Sequence, residues 1–154
     1  MDIASENTNY LIPDELIGGI RDQCLCLAAQ RAARQLARRF DRVFQPLGIT
    51  NGQFSLMVAL QGMKGPRPGQ VADLLAMDQT TVTAAVKALS KRGLVETFAD
   101  AGDQRARRVA LTEAGRALLA QAVPIWRSEH GKLAEEMAPG QAKALAGMLN
   151  GLRA

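Results

Sequence analysis

The sequence predicts a mainly helical chain of the α+β class, with one short two-stranded ribbon set among the helices. Three observations carry that prediction. Aromatic residues make up only 4% of the 154 positions, and alanine and leucine lead the 47% that are hydrophobic. That composition suits helix packed on helix better than a β-sandwich. Apolar residues recur at i, i+3, i+4 and i+7 over most of the chain, the spacing of a helix buried on one side. Between positions 94 and 112 the period shortens to that of strands, with a polar stretch in the middle.

The length suits one compact domain, or one domain with helical extensions used for association. A formal net charge of +4 permits a nucleic-acid partner without requiring one. No apolar run is long enough to span a bilayer, and the first residues do not form a signal peptide. Cys24 and Cys26 lie too close together to staple distant segments, which suits a reducing compartment. The expectation is a cytoplasmic protein with no membrane association, no cofactor and no metal site. His130, the only histidine, has no metal-ligand spacing around it and reads as a surface residue.

Residues 1–13 are polar and irregular, a mobile arm that ends at Pro13. Residues 14–45 read as helix, with Leu25, Ala29, Ala32, Leu36, Phe40 and Val43 at helical spacing, and Pro46 and Gly48 close the run. Arg31, Arg34, Arg38, Arg39 and Arg42 lie along its second half, where Asp41 is the single acid. Such a run is either a solvated face or an addition to a positive field. Thr50 is placed to cap the next helix, whose apolar side is Phe54, Met57, Val58 and Leu60. Residues 64–69 then hold two prolines and two glycines, which break the chain. A short helix over residues 70–76 follows, and a turn at Met77 and Asp78 leads into residues 78–93.

That last stretch has two faces. Val82, Ala85, Val86 and Leu89 form an apolar stripe that needs a core, while Thr80, Thr83, Ala84, Lys87 and Lys91 fall on the other side. The outer face is small, polar and cationic, and it carries no acid. Asp78 can accept hydrogen bonds from first-turn amides, and Gly93 can take the left-handed conformation that ends a helix. Two short helices joined by a tight turn, the second with the polar face, make a helix-turn-helix.

Residues 94–99 and 108–112 read as strands around the polar tip 100–107. A hairpin after such a helix is a wing, able to carry arginine beyond the helix's reach towards a neighbouring minor groove. Arg105, Arg107 and Arg108 are the cations available to it. A long helix opens at Thr112, with Leu118, Leu119, Ala122, Val123 and Trp126 apolar and Pro124 expected to kink it or remove one hydrogen bond. A final stripe holds Ala144, Leu145, Met148, Leu149 and Leu152. The terminal helices are more apolar than one small lobe can bury. Residues 14–45 and 115–154 are therefore read as a helical dimerisation region around a winged helix-turn-helix lobe at 46–114.

The chain resembles the MarR family of bacterial transcription regulators over nearly its full length. The matching words are Pro46-Leu-Gly-Ile-Thr50, Val71-Ala-Asp-Leu-Leu75, Thr81-Val-Thr83, Lys91-Arg-Gly-Leu-Val95, Asp103-x-Arg105 and Val109-x-Leu-Thr-Glu-Ala-Gly115. The resemblance implies a homodimer that binds double-stranded DNA at a pseudo-palindromic operator, as a repressor released by a small molecule or by oxidation, and not an enzyme. It places Gln79, Thr80, Thr81, Thr83 and Lys87 at groove-facing positions. It also makes Arg105 the wing-tip arginine, with Asp103 holding it and Arg107 beside it. Lys87 and Lys91 suit phosphate, whereas Gln79 and Thr83 suit base edges, glutamine to adenine and threonine to a thymine methyl. Two half-sites roughly 34–36 Å apart are expected for such a dimer. Thr97 and Phe98 stand where relatives often carry basic residues, which weakens the wing's hold on phosphate.

Two signals are open. Cys26 stands as far before Leu47-Gly-Ile-Thr50 as the reactive cysteine of the family's organic-hydroperoxide-sensing branch, but Gln30, Phe40 and Asn51 occupy that branch's tyrosine positions. The plain reading of a cysteine on an apolar helix is packing. The other signal is a small aromatic or phenolic ligand, an acid that Arg31, Arg34 or Arg38 could meet. Two readings from other classes are a thiol enzyme using Cys26 and a winged-helix module that binds protein. The first lacks a nearby histidine and an oxyanion motif. The second would place acids where Thr80, Thr83, Lys87 and Lys91 stand.

Overall fold

The computed structural model describes residues 12–152. Among them are seven α-helices, one 3-10 turn and one two-stranded antiparallel sheet. The helices are α1 (Asp14–Gln23), α2 (Leu25–Phe44), α3 (Asn51–Met63), α4 (Pro68–Leu75), α5 (Gln79–Lys91), α6 (Glu113–Glu135) and α7 (Gln141–Asn150), and the strands are β1 (Val95–Ala99) and β2 (Arg107–Leu111). The chain divides into two units, Met1–Leu36 and Ala37–Ala154. None of the described helices is long and apolar enough to cross a membrane.

Residues 1–11 of the expected arm lie outside the described residues. Its end is already part of a helix cap, since the Pro13 carbonyl accepts the N–H groups of Leu16 and Ile17. The single helix expected over residues 14–45 is two helices with a break at Cys24. Its backbone turns extended there (φ −70°, ψ 107°), while its N–H still bonds the Ile20 carbonyl. The Cys24 sulfur accepts the Leu27 N–H at 3.4 Å, a weak cap on α2. Apolar spacing continues through the break, so periodicity could not reveal it. In this unit α1 buries nothing, and Leu16, Ile17, Ile20 and Leu25 are exposed.

The second unit holds the core. Phe44, Leu56, Met57, Val71, Val82, Leu89 and Val109 are fully buried, drawn from α2, α3, α4, α5 and β2. Phe44 stacks on Phe54 with ring centroids 4.7 Å apart. Full burial of a phenylalanine contributes roughly 1.5–3 kcal/mol. In this unit α3, α5 and α6 start on the side-chain caps Thr50, Asp78 and Thr112. Thr50 accepts from the Gln53 N–H while Gln53 accepts from the Thr50 N–H, a reciprocal box. Asp41, the lone acid of α2, accepts the Asn51 N–H at 2.6 Å and so helps begin α3.

Arg39 leaves the basic run of α2 to bind Glu129 at 2.6 Å and Glu136 at 2.8 Å, which ties the end of α2 to α6. Its guanidinium holds the Glu129 carboxyl below the usual range. The long helix α6 runs through Pro124 without ending.

Gly115 lets α6 approach the lobe. A Cβ there would lie 2.0 Å from the Leu94 carbonyl oxygen. Thr112 seals the same contact: its hydroxyl donates to the Gly93 carbonyl and accepts the Gly115 N–H.

Candidate nucleic-acid interface

The turn between α4 and α5 sets the site. Ala76 takes a left-handed conformation (φ 51°), and the Met77 N–H reaches back to the Ala72 carbonyl, so α4 stops sharply. Asp78 then caps α5. Its Oδ1 accepts the Thr81 N–H at 2.8 Å, and its Oδ2 accepts the Thr81 hydroxyl at 2.5 Å. Those bonds, the hydroxyl's first, lower the Asp78 carboxyl below its ordinary value.

Val82, Val86 and Leu89 turn inward and are buried. Gln79, Thr80, Thr81, Thr83, Lys87 and Lys91 are all exposed. Gln79, Thr80, Thr83, Ala84 and Lys87 line one shallow depression of about 520 Å³ on the outer face. Among the described residues neither Lys87 nor Lys91 is in an ion pair. The Thr83 hydroxyl donates to the Gln79 carbonyl at 2.8 Å, so outward it offers a methyl group and acceptor lone pairs. The Thr81 hydroxyl hydrogen is engaged with Asp78, which makes Thr81 a helix-capping residue first.

The far end of α5 is held by Arg92, which sequence reasoning passed over. Its Nη1 donates to the Gly48 carbonyl at 2.6 Å and its Nη2 to the Leu47 carbonyl at 3.4 Å. Gly93 follows at φ +70°.

The wing pairs Val95 with Leu111 at its base and Ala99 with Arg107 at its end. Arg105 and Arg107 are exposed. Asp103 does meet Arg105, but at the backbone: its Oδ1 accepts the Arg105 N–H at 3.0 Å. A carboxylate two residues earlier is within easy reach of that N–H, so Asp103 shapes the turn and no ion pair joins it to the Arg105 guanidinium.

The arginine anchored by acid is Arg108, whose Nε donates to Asp100 at 2.7 Å and whose Nη1 donates to the Gly65 carbonyl at 2.7 Å. Arg67 donates to the same Asp100 oxygen at 3.2 Å. In the sequence Asp100 is one polar residue of a loop tip. Its partner Arg67 lies 33 positions away in sequence, so no local signal marked it.

The remaining candidates lie on α2. Arg31, Arg34 and Arg38 are exposed and share one side of that helix by their spacing. Cys26 is exposed, and its sulfur accepts the Gln30 amide at 3.2 Å. A separate apolar pocket of about 450 Å³ lies between α3, α4 and α6. Phe54, Val58, Leu74, Leu75, Val123 and Trp126 line it, with Ser55 its one hydroxyl. His130 lies against Trp126, ring centroids 5.0 Å apart.

Chemically, the α5 face offers an amide, two threonines with a hydroxyl and a methyl group each, and two ammoniums outside any ion pair among the described residues. That is a set suited to base edges flanked by phosphates.

Residues 47–106 match the sequence model of the MarR family. A stretch of 98 residues is 33% identical to the transcriptional repressor NicR of Pseudomonas putida, covering 61% of this chain and 62% of that one. The chain thus spans about three fifths of that repressor's length. Among solved structures, the repressor CouR bound to a 23-mer DNA duplex superposes with a TM-score of 0.78 at 28% identity, over 86% of this chain and 94% of the other. The regulator MosR of M. tuberculosis, in complex with DNA, gives a TM-score of 0.71 at 33% identity, over 82% and 93%.

Proposed function

Because this chain belongs to the MarR family, we propose that it is a cytoplasmic, homodimeric repressor that binds pseudo-palindromic operator DNA and lets go of it when a small aromatic molecule binds. The observation that carries this reading is the outer face of α5, exposed along its length and free of acid. Gln79 and Thr83 read bases in the major groove, Lys87 and Lys91 hold phosphate, and Arg105 on the wing reaches the neighbouring minor groove. Thr80 and Arg107 stand beside these contacts. Thr81 and Asp103 hold the helix start and the wing turn that present them. The reading is of a regulator and not of an enzyme.

Dimerisation is supported by the apolar side chains left exposed at both ends of the chain, Leu16, Ile17 and Ile20 on α1 and Leu145, Met148 and Leu149 on α7. An effector is supported by the pocket between α3, α4 and α6, whose apolar lining suits an aromatic ring. Independently of that pocket, Arg31, Arg34 and Arg38 on α2 are exposed cations suited to a carboxylate.

Selection of bound fragments from genomic DNA tests the reading. A single enriched sequence with two related half-sites, and release of that duplex by an added aromatic acid or phenol, are the expected results. Arg105→Ala should weaken binding by roughly tenfold or more, as loss of a DNA-contacting arginine does, without moving the melting temperature. Recovery of no enriched sequence overturns the DNA reading, and undiminished binding by Arg105→Ala overturns the wing's part in it.

A further inference from the structure

Asp100 stands where β1 gives way to the tip of the wing, and its side chain is only 7% exposed. A carboxylate is rarely buried unless charged or hydrogen-bonded partners replace the water it loses. Here Oδ1 accepts the Gly102 N–H at 2.8 Å, and Oδ2 accepts Arg108 Nε at 2.7 Å and Arg67 Nη2 at 3.2 Å. Each partner belongs to a different piece of the lobe. Gly102 is in the wing tip, Arg108 is on β2, and Arg67 is the residue that caps α4. Arg108 also bonds the Gly65 carbonyl, and the Val109 N–H bonds the Pro66 carbonyl at 3.0 Å. One carboxylate therefore gathers the wing tip, the returning strand and the segment that begins the helix-turn-helix.

A two-stranded ribbon has little stability of its own, and its seven-residue tip, residues 100–106, contributes no apolar side chain to the core. The placement of such a tip is set by whatever holds it to the rest of the lobe. A long, exposed arginine at its end, Arg105, binds DNA well only if its ordering cost has been met beforehand.

We propose that Asp100 is a positioning residue for DNA recognition, clamping the wing to the segment before α4 so that Arg105 is presented in one place relative to α5. The proposal rests on the reading that this lobe binds DNA. Asp100 touches no DNA, and its effect on affinity passes through the wing. The bonds from Gly102, Arg67 and Arg108 outweigh the penalty of burial and hold its carboxyl down to about 2, so the clamp is charged at any working pH.

The test uses the full chain and a short duplex enriched from randomised DNA. Asp100→Asn keeps the shape of the side chain and removes its charge. It also raises the net charge of the protein, which by itself would tighten binding and steepen its salt dependence. The clamp makes the opposite prediction. Asp100→Asn should lose affinity by about the same factor as Arg105→Ala, roughly tenfold, and its salt slope should fall to that of Arg105→Ala.

The double variant should bind no more weakly than either single one, because a wing out of place has no arginine contact left to lose. A merely less stable protein would lower the active fraction and leave the salt slope alone. Should Asp100→Asn fail to fold, the same cycle is run with Arg67→Gln, which opens only the α4 side of the clamp. Affinity equal to wild type, an unchanged salt slope, or losses that add in full to Arg105→Ala overturn the positioning role. Failure of the wild-type chain to enrich any sequence overturns the DNA reading, and the proposal with it.

Discussion

Single side chains in this lobe do more than their types suggest, and the acids show it best. Asp78 starts a helix, Asp103 bends a turn, Asp41 opens α3 from a neighbouring helix, and Asp100 gathers two arginines. The Asp100 carboxyl titrates at about 2, whereas an unfolded aspartate titrates at about 3.9. A carboxyl depressed on folding adds stability that is fully present above the unfolded value. That stability is lost as pH falls through the folded value. The melting temperature of the wild-type protein should therefore fall between about pH 4 and pH 2 more steeply than that of Asp100→Asn. Equal acid limbs in thermal melts of the two proteins would show that the charge of Asp100 contributes nothing to the fold. Asp100 was visible in the sequence only as part of a polar tip, because Arg67 becomes its neighbour only when the segment before α4 folds against β2.

At the scale of elements, the approach of α6 to the end of α5 is set by a missing methyl group. Gly115 stands in a recognisable sequence word, yet its reason is tertiary: the Leu94 carbonyl occupies the space a Cβ would need. Gly115→Ala should lower stability by about 1–3 kcal/mol, the usual range for overpacking a tight contact. The measurement is a denaturant melt, and a midpoint within error of wild type would overturn the contact. Arg92 fastens the same region from the other side by bonding the Leu47 and Gly48 carbonyls. The helix that faces outward is thus held at its start by Asp78 and at its end by Arg92. The face between them is left free of structural duties, apart from the Thr81 and Thr83 hydroxyls.

For the whole molecule, the open question is what covers the apolar side chains at the two ends of the chain. Leu25 is 75% exposed and Met148 65%, more than a protein in water leaves bare without a use. The homodimer proposed above would bury them, and two-fold pairing of identical surfaces is the commonest form of association. Sedimentation equilibrium should give twice the chain mass. Leu149→Glu, which places a charge in the proposed interface, should shift the protein towards the single-chain mass and weaken operator binding together with it. A wild-type protein that sediments as one chain, or a variant that remains paired, removes α7 from the interface.

The sequence by itself determined the order of the elements, the two faces of α5 and the hairpin after it. Helix and strand periods and local caps such as Thr50, Asp78 and Thr112 act over a few residues and are written in consecutive letters. It placed the outward residues Thr80, Thr83 and Lys87 on one face for the same reason, whereas Gln79 was assigned to that face by the family resemblance. Only the tertiary structure decided the break at Cys24, the turn of Arg39 from a basic run to Glu129, and the shift of the wing's anchoring acid from Asp103 to Asp100. The last two of these join positions 90 and 33 residues apart, where no period or cap can signal a partner. The break at Cys24 leaves the apolar spacing intact, so the backbone alone records it.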